Sequence, residues 1–181
     1  MKTVAKNGNP TVNGEPAAIV EHSPMDIDVQ KMIDEFKKPP RVTDPYNVNS
    51  ATYTGMHWGI PDPGGTQQCA TSCSEHRIVY FNTNHSYVKL AGGSTGCGML
   101  LVEGDLEVEG AFNWYGVILV TGSITFTGGG GKNVTGAILA GATSAIDLVG
   151  GDANIVYCSK AVRDQTNYMP LVTLRWAEIF G

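Results

Sequence analysis

Charge is what this sequence has least of. Only 16% of its 181 residues are Asp, Glu, Lys or Arg, and 12 Lys+Arg against 17 Asp+Glu leave a net charge of −5. A basic stripe able to track a phosphate backbone is missing, which excludes nucleic acid as a partner. No apolar run approaches the roughly 18 residues of a membrane-spanning helix, and the start lacks the charged, apolar and small-residue zones of a secretory leader. Membrane contact is therefore expected only through an N-terminal segment absent from these residues. Aromatics are 8%, Cys only 4, but Gly reaches 23. Little charge with much glycine points to a β-rich, turn-rich protein rather than a helical one. The length suits one domain with a real core.

Residues 1–74 read as a polar lead-in, one helix and an irregular segment. The apolar patches Thr11-Val12 and Ala17–Val20 in the lead-in suit short strands. Ser23 as N-cap, Pro24 as first helical residue and Asp26 at capping-box spacing predict a helix over about 24–38. Val29, Met32, Ile33 and Phe36 share its apolar face, and Pro39-Pro40 ends it. From Arg41 to Ser74, Pro, Gly and small polar residues without periodicity predict loop.

Residues 75–162 repeat. Gly98–Gly110 and Gly116–Gly128 superpose at an offset of 18, with three glycines coinciding. Leu100 falls on Ile118, Val102 on Val120, Leu106 on Ile124 and Val108 on Phe126. A third copy supplies Ile138, Ala140, Ile146 and Leu148, a fourth Val156 and Cys158, and an earlier one Val79, Phe81, Val88 and Leu90. About five coils of 18–21 residues result. Two short alternating strands and glycine corners cannot bury an apolar side alone, whereas coils stacked about 4.8 Å apart bury like on like. The expected fold is mainly β: a short single-stranded parallel β-helix, or β-solenoid. An antiparallel sandwich would also place turns at Gly104, Gly110 and Gly122, but would not impose a fixed offset. The amphipathic helix is expected to cap one end. Residues 163–181, with the apolar run Leu171–Trp176, are expected to form a cap at the other end or a strand along the side.

The runs Gly98–Gly110, Phe112–Gly122, Gly136–Gly141 and Tyr157-Cys158-Ser159 resemble the C-terminal β-helical region of PilX-type pilus assembly proteins, which are bacterial, type IV pilus-associated and minor-pilin-like. The resemblance covers about Ile78–Val162 and rests on glycine and aliphatic patterns. It implies an extracytoplasmic domain of the cell surface or pilus, non-catalytic, whose partners are other pilus or surface-protein subunits. It also implies a hydrophobic N-terminal anchoring helix, which these residues do not contain.

Three groups of side chains are candidates for a site. Cys69 and Cys73 lack the second pair or histidines of a zinc site, but a bridge from Cys73 or Cys69 to Cys97, at a coil corner, would pin the irregular segment in an oxidising compartment. Cys158 is expected as a buried thiol in the column of Val102, Val120 and Ala140. Glu103, Asp105, Glu107 and Glu109 point outward along one coil, beside Thr121, Ser123, Thr125 and Thr127 on the next. Carboxylates beside hydroxyls suit calcium or a polysaccharide, although a solvated strand face explains them more simply. Phe112, Trp114 and Tyr115 fall at a corner, as an interaction patch or as packing over the side.

Other features point away from catalysis, and no cofactor is expected. Gly128–Gly131 before Lys132 lacks the spacing and hydroxyl of a phosphate loop and reads as a turn insertion. Thr125 and Thr127 do not recur as a ladder, and His22, His57, His76 and His85 are scattered surface residues. A carbohydrate-binding or adhesive module is one alternative function. A bactofilin-like cytoskeletal solenoid is the other.

Overall fold

The computed structural model describes residues 3–5, 11–13, 27–62, 72–141, 146–148 and 152–166. In chain order the elements are β1 (Thr3–Ala5), β2 (Thr11–Asn13), α1 (Val29–Phe36), β3 (Asp44–Asn47), β4 (Ala51–Thr54), β5 (His57–Trp58), β6 (Ile60–Pro61) and β7 (Cys73–Glu75). They continue as β8 (Arg77–Ala91), β9 (Ser94–Glu109), β10 (Phe112–Val120), β11 (Ile124–Thr127), β12 (Lys132–Ala140), β13 (Ile146–Leu148), β14 (Ala153–Tyr157) and α2 (Ser159–Thr166). All strand pairs are parallel except β6 with β7.

The fold is a β-solenoid of about four turns. Its register is the one the offsets predict: Leu100 lies beside Ile118, Val102 beside Val120, Leu106 beside Ile124 and Val108 beside Phe126. Ile138 and Ala140 continue the first two columns, and Ile146 and Leu148 pair with Ile124 and Phe126. Each turn contributes strand to three faces. Ser94–Cys97, Phe112–Tyr115 and Lys132–Thr135 belong to the first face, with β5 and β14. Met99–Glu103 and Val117–Val120 belong to the second, with β3. Leu106–Glu109 and β11 belong to the third, with β4 and β13.

Glycine makes the bend between the first two faces. Gly98, Gly116 and Gly136 stack in register with φ of 131°, 129° and 146°. A Cβ on Gly116 would stand 2.0 Å from the Gly98 carbonyl oxygen, and one on Gly136 1.8 Å from that of Gly116. At these two positions any side chain would collide with the rung before it, and glycine alone fits, although the column ends on Arg77 at one side and Tyr157 at the other. Inside the stack, Val79, Phe81, Val88, Leu90, Leu100, Val102, Ile118, Val120 and Phe126 belong to one apolar core.

The edges of the prediction needed correcting. The helix begins at Val29, capped by Asp28, whose carboxylate accepts the Lys31 N–H at 3.0 Å, while Ser23, Pro24 and Asp26 lie outside the described residues. It does not cap an end. Val29, Ile33 and Phe36 pack on Ile78, Met99, Leu101, Val117 and Leu119, so α1 covers the outside of the second face. The reason lies in the strands it covers, which are apolar on both sides and leave a stripe that water disfavours. The segment 44–58 is another turn rather than loop, with β3 and β4 on β8 and β5 on β9.

At the far end, β1 pairs with β13 and β2 with β14. The lead-in thus extends the end opposite to β3–β5. In the last copy Ile155, not Val156 or Cys158, continues the column of Trp114 and Val134. Residues 159–166 form α2, an element the sequence reading placed partly in the repeats and partly in a terminal cap. Leu171–Trp176 lie outside the described residues.

Candidate functional site

The cysteines pin the corner where chain leaves and re-enters the stack. Cys73 on β7 and Cys97 on β9 form a disulfide, with Cα atoms 5.7 Å apart. Cys97 sits within β9, one residue before the Gly98 bend. Cys158 is not a free thiol in the Val102 column. It is disulfide-bonded and buried beside Cys97, Tyr115 and Ala161. No described cysteine is free, and Cys69 lies outside the described residues.

The aromatic candidates present no surface, because Phe112, Trp114 and Tyr115 are all 0% exposed. Phe112 and Trp114 stack at 6.1 Å in the interior. The Trp114 indole donates to the Gly98 carbonyl at 3.2 Å, and its ring fills the space left by Gly96, where a Cβ would come within 2.0 Å of it. Tyr115 faces outward instead, but α2 closes over it. Trp58, placed by the sequence reading in a loop, is likewise core.

The four carboxylates divide between two faces. Glu103 sits on the second face and ties α1 down. It accepts from Gln30 Nε2 at 2.6 Å, Lys37 Nζ at 2.7 Å and the Tyr80 hydroxyl at 2.5 Å. Burial pushes its carboxyl up, but these donors outweigh burial and hold it below its ordinary value. Tyr80 is pushed up by burial and by Glu103. Lys37 is pushed up by its hydrogen bonds to Asp34 and then Glu103.

The other three lie on the third face. Asp105 accepts from the Ser123 N–H at 2.7 Å and its hydroxyl at 2.8 Å. Glu107 pairs with Lys89 at 3.0 Å, and Glu109 with the same ammonium. The hydroxyl rows fall as predicted, Thr125 beside Glu107 and Thr127 beside Glu109. The carboxylates are thus spent on cross-rung pairs instead of converging on one point. Among the described residues no three His, Cys, Asp or Glu side chains gather as a metal-holding group.

Two polar side chains are more enclosed than the sequence suggested. Lys132 is only 1% exposed, and its ammonium donates to the Gly128 and Gly130 carbonyls at 2.8 and 3.1 Å, closing the glycine turn. Burial pushes its pKa down, opposed by Asp152. His76 is half-buried and hydrogen-bonded to the Gln165 side chain of α2. Burial pushes it down as well, opposed by that bond. His57 is exposed and bonds to Thr95.

Among the described residues, nothing pairs with the outer edge of the stack at the β3–β5 end. Among the described residues β3 and β4 pair only with β8, and β5 only with β9. The core columns stop there at Tyr46, Val48, Tyr53 and Met56, each half-buried. Tyr46 stacks on Phe81 at 4.6 Å, meets Tyr53 edge-on at 5.1 Å and accepts the Trp58 N–H at 3.1 Å. None of the described helices is long and apolar enough to cross a membrane. No family model, no curated protein and no solved structure matches the chain.

Proposed function

We propose that the chain is a non-catalytic structural and interaction domain of a type IV pilus-associated, minor-pilin-like surface protein, acting in pilus assembly or surface display. The observation that carries this reading is the oxidised corner. A Cys73–Cys97 bridge and an oxidised Cys158 suit the extracytoplasmic side, where disulfides persist. The resemblance of the Gly98–Gly141 coils to PilX-type proteins supplies the pilus context.

The mechanism is mechanical. A rigid stack with its flank covered by α1 and its corner cross-linked holds a surface in fixed geometry for other subunits. Calcium and polysaccharide fit less well, since Asp105, Glu107 and Glu109 are already paired and Trp114 and Tyr115 are buried. A cytoskeletal, bactofilin-like role sits poorly with the disulfides.

The test is location. Filaments sheared from the source cells should contain the tryptic peptide Ile78–Lys89, enriched over the cytoplasmic fraction. A peptide confined to the cytoplasm would overturn the reading and favour the cytoskeletal alternative.

A further inference from the structure

The corner where β8 passes from the second face to the third is built unlike the one on the next rung. Asn82 stands opposite Glu103 and Tyr87 opposite Asp105, so four residues, 83–86, face the single Gly104 of β9. Thr83 anchors this bulge. It is 0% exposed, and its hydroxyl donates to the Glu103 carbonyl at 2.6 Å. Glycine at position 104 leaves the room, since a Cβ there would stand 1.9 Å from the Thr83 hydroxyl oxygen. Asn84 and His85 then take left-handed φ of 52° and 62°, and both are exposed. The Asn84 N–H donates to the Asn82 side-chain oxygen at 3.0 Å, an Asx turn. The Asn84 amide itself has no partner among the described residues.

Asn84-His85-Ser86 is an Asn-x-Ser triplet without proline at its centre. That is the acceptor pattern for sugar on an asparagine amide, and it is used in surface loops outside the cytoplasm. We propose that Asn84 is a glycosylation site, which takes an oligosaccharide from a lipid-diphosphate donor through a transferase of the cell. In that transfer Asn84 Nδ2 bonds to the anomeric carbon of the sugar. The bond from that carbon to the diphosphate oxygen breaks, the lipid diphosphate leaves with the electron pair, and it takes up the proton that the amide loses. The proposal rests on the extracytoplasmic part of the reading above.

A second triplet, Asn133-Val134-Thr135, supplies the contrast. It lies within β12, where Asn133 stands between Asn113 of β10 and Asn154 of β14. Its amide donates to the Asn113 side-chain oxygen at 2.8 Å, and Val134 and Thr135 are each 1% exposed. Reaching Asn133 means unpairing a strand on both sides, whereas Asn84 already stands clear of the sheet. The Ser86 hydroxyl is bonded at 2.6 Å only to that of exposed Ser50.

The full chain purified from the source cells would be digested with trypsin. The peptide Ile78–Lys89 would be searched both bare and with added sugar, with electron-transfer fragmentation to place the addition. The expected peptide is heavier by whole sugar residues, all on Asn84, while Asn133–Lys160 is bare at Asn133. Ser86→Ala made in the same cells should lose the addition and Ser86→Thr should keep it, both melting like the parent. A bare Asn84, sugar on Asn133, or sugar on Asn84 that survives Ser86→Ala would overturn the proposal. Filament and cytoplasmic fractions are read separately. A bare peptide enriched in filaments overturns glycosylation alone, whereas a bare peptide confined to the cytoplasm overturns the surface reading as well.

Discussion

The second and third faces of the solenoid are built on the same turns but have opposite outsides. On the third, Leu106, Val108, Ile124 and Phe126 point inward, while Glu107, Glu109, Thr125 and Thr127 meet water. On the second, Met99, Leu101, Val117 and Leu119 are buried on the outer side as completely as Leu100, Val102, Ile118 and Val120 are on the inner one. The third face needs only its neighbours in the stack. The second needs α1, and a handful of polar bonds centred on Glu103 hold that helix in place. One period can therefore write either a finished surface or a docking bed, according to what stands at the alternate positions.

The comparison can be broken most severely from inside. Val120 is 0% exposed in the shared core, so Val120→Asp buries an unpaired carboxylate. A loss of more than about 4 kcal/mol is expected, seen as loss of the cooperative melt. Thr127→Asp, at the outward position opposite Glu109, should leave the fold intact. Equal tolerance of both would refute the register.

The bend between the first and second faces comes next. Gly116→Ala combines a φ of 129° with a Cβ 2.0 Å from a carbonyl oxygen, and should cost about 3 kcal/mol. Gly129→Ala, with nothing within 4 Å, is the control and should be neutral. Removing the Cys73–Cys97 bridge, which spans a sequence separation of 24, should cost a similar amount, about 3 kcal/mol. Chemical denaturation of the double Ser variant checks it, and an unchanged midpoint would mean the corner is held by packing alone.

The smallest effect is specific to the second face. Glu103 has its pKa lowered on folding, so its contribution is present above its ordinary value of 4.5 and is lost as pH falls through the lowered value. Acidification from neutrality to below pH 4.5 should loosen α1 first, with exchange rising in Val29–Phe36 before it rises in Leu106–Glu109. Glu103→Gln should weaken this dependence by about 1 kcal/mol. Simultaneous exchange in both segments at every pH would show that α1 is not held separately.

These contrasts also explain what was legible in the sequence. The strand register could be read because an interior column tolerates only one class of residue, so Val102 repeats as Val120 and Gly98 as Gly116. The cover was misplaced at an end of the stack, although the unbroken apolar runs Met99–Val102 and Val117–Val120 carry its signal. Only strands buried on both sides are written that way. Ala51–Thr54 alternates correctly but is too short to stand out beside Pro45 and Gly55.

At the candidate site, the Cys73–Cys97 pairing was legible as one of two choices. The burial of Phe112, Trp114 and Tyr115 was not, because it depends on Gly96 a turn earlier and on α2. Lys132 escaped for a related reason. Its enclosure comes from the carbonyls of its own glycine turn, which no spacing rule records.

The central claim, an oxidised and rigid domain working outside the cytoplasm, is tested most directly by thiol state in the cell. Source cells would be quenched in acid, denatured and treated with a maleimide before any reductant, and the protein read by intact mass. Peptide mapping then assigns the label, and the account predicts that Cys73, Cys97 and Cys158 take it only after reduction. Label on any of these three in the unreduced protein would contradict it.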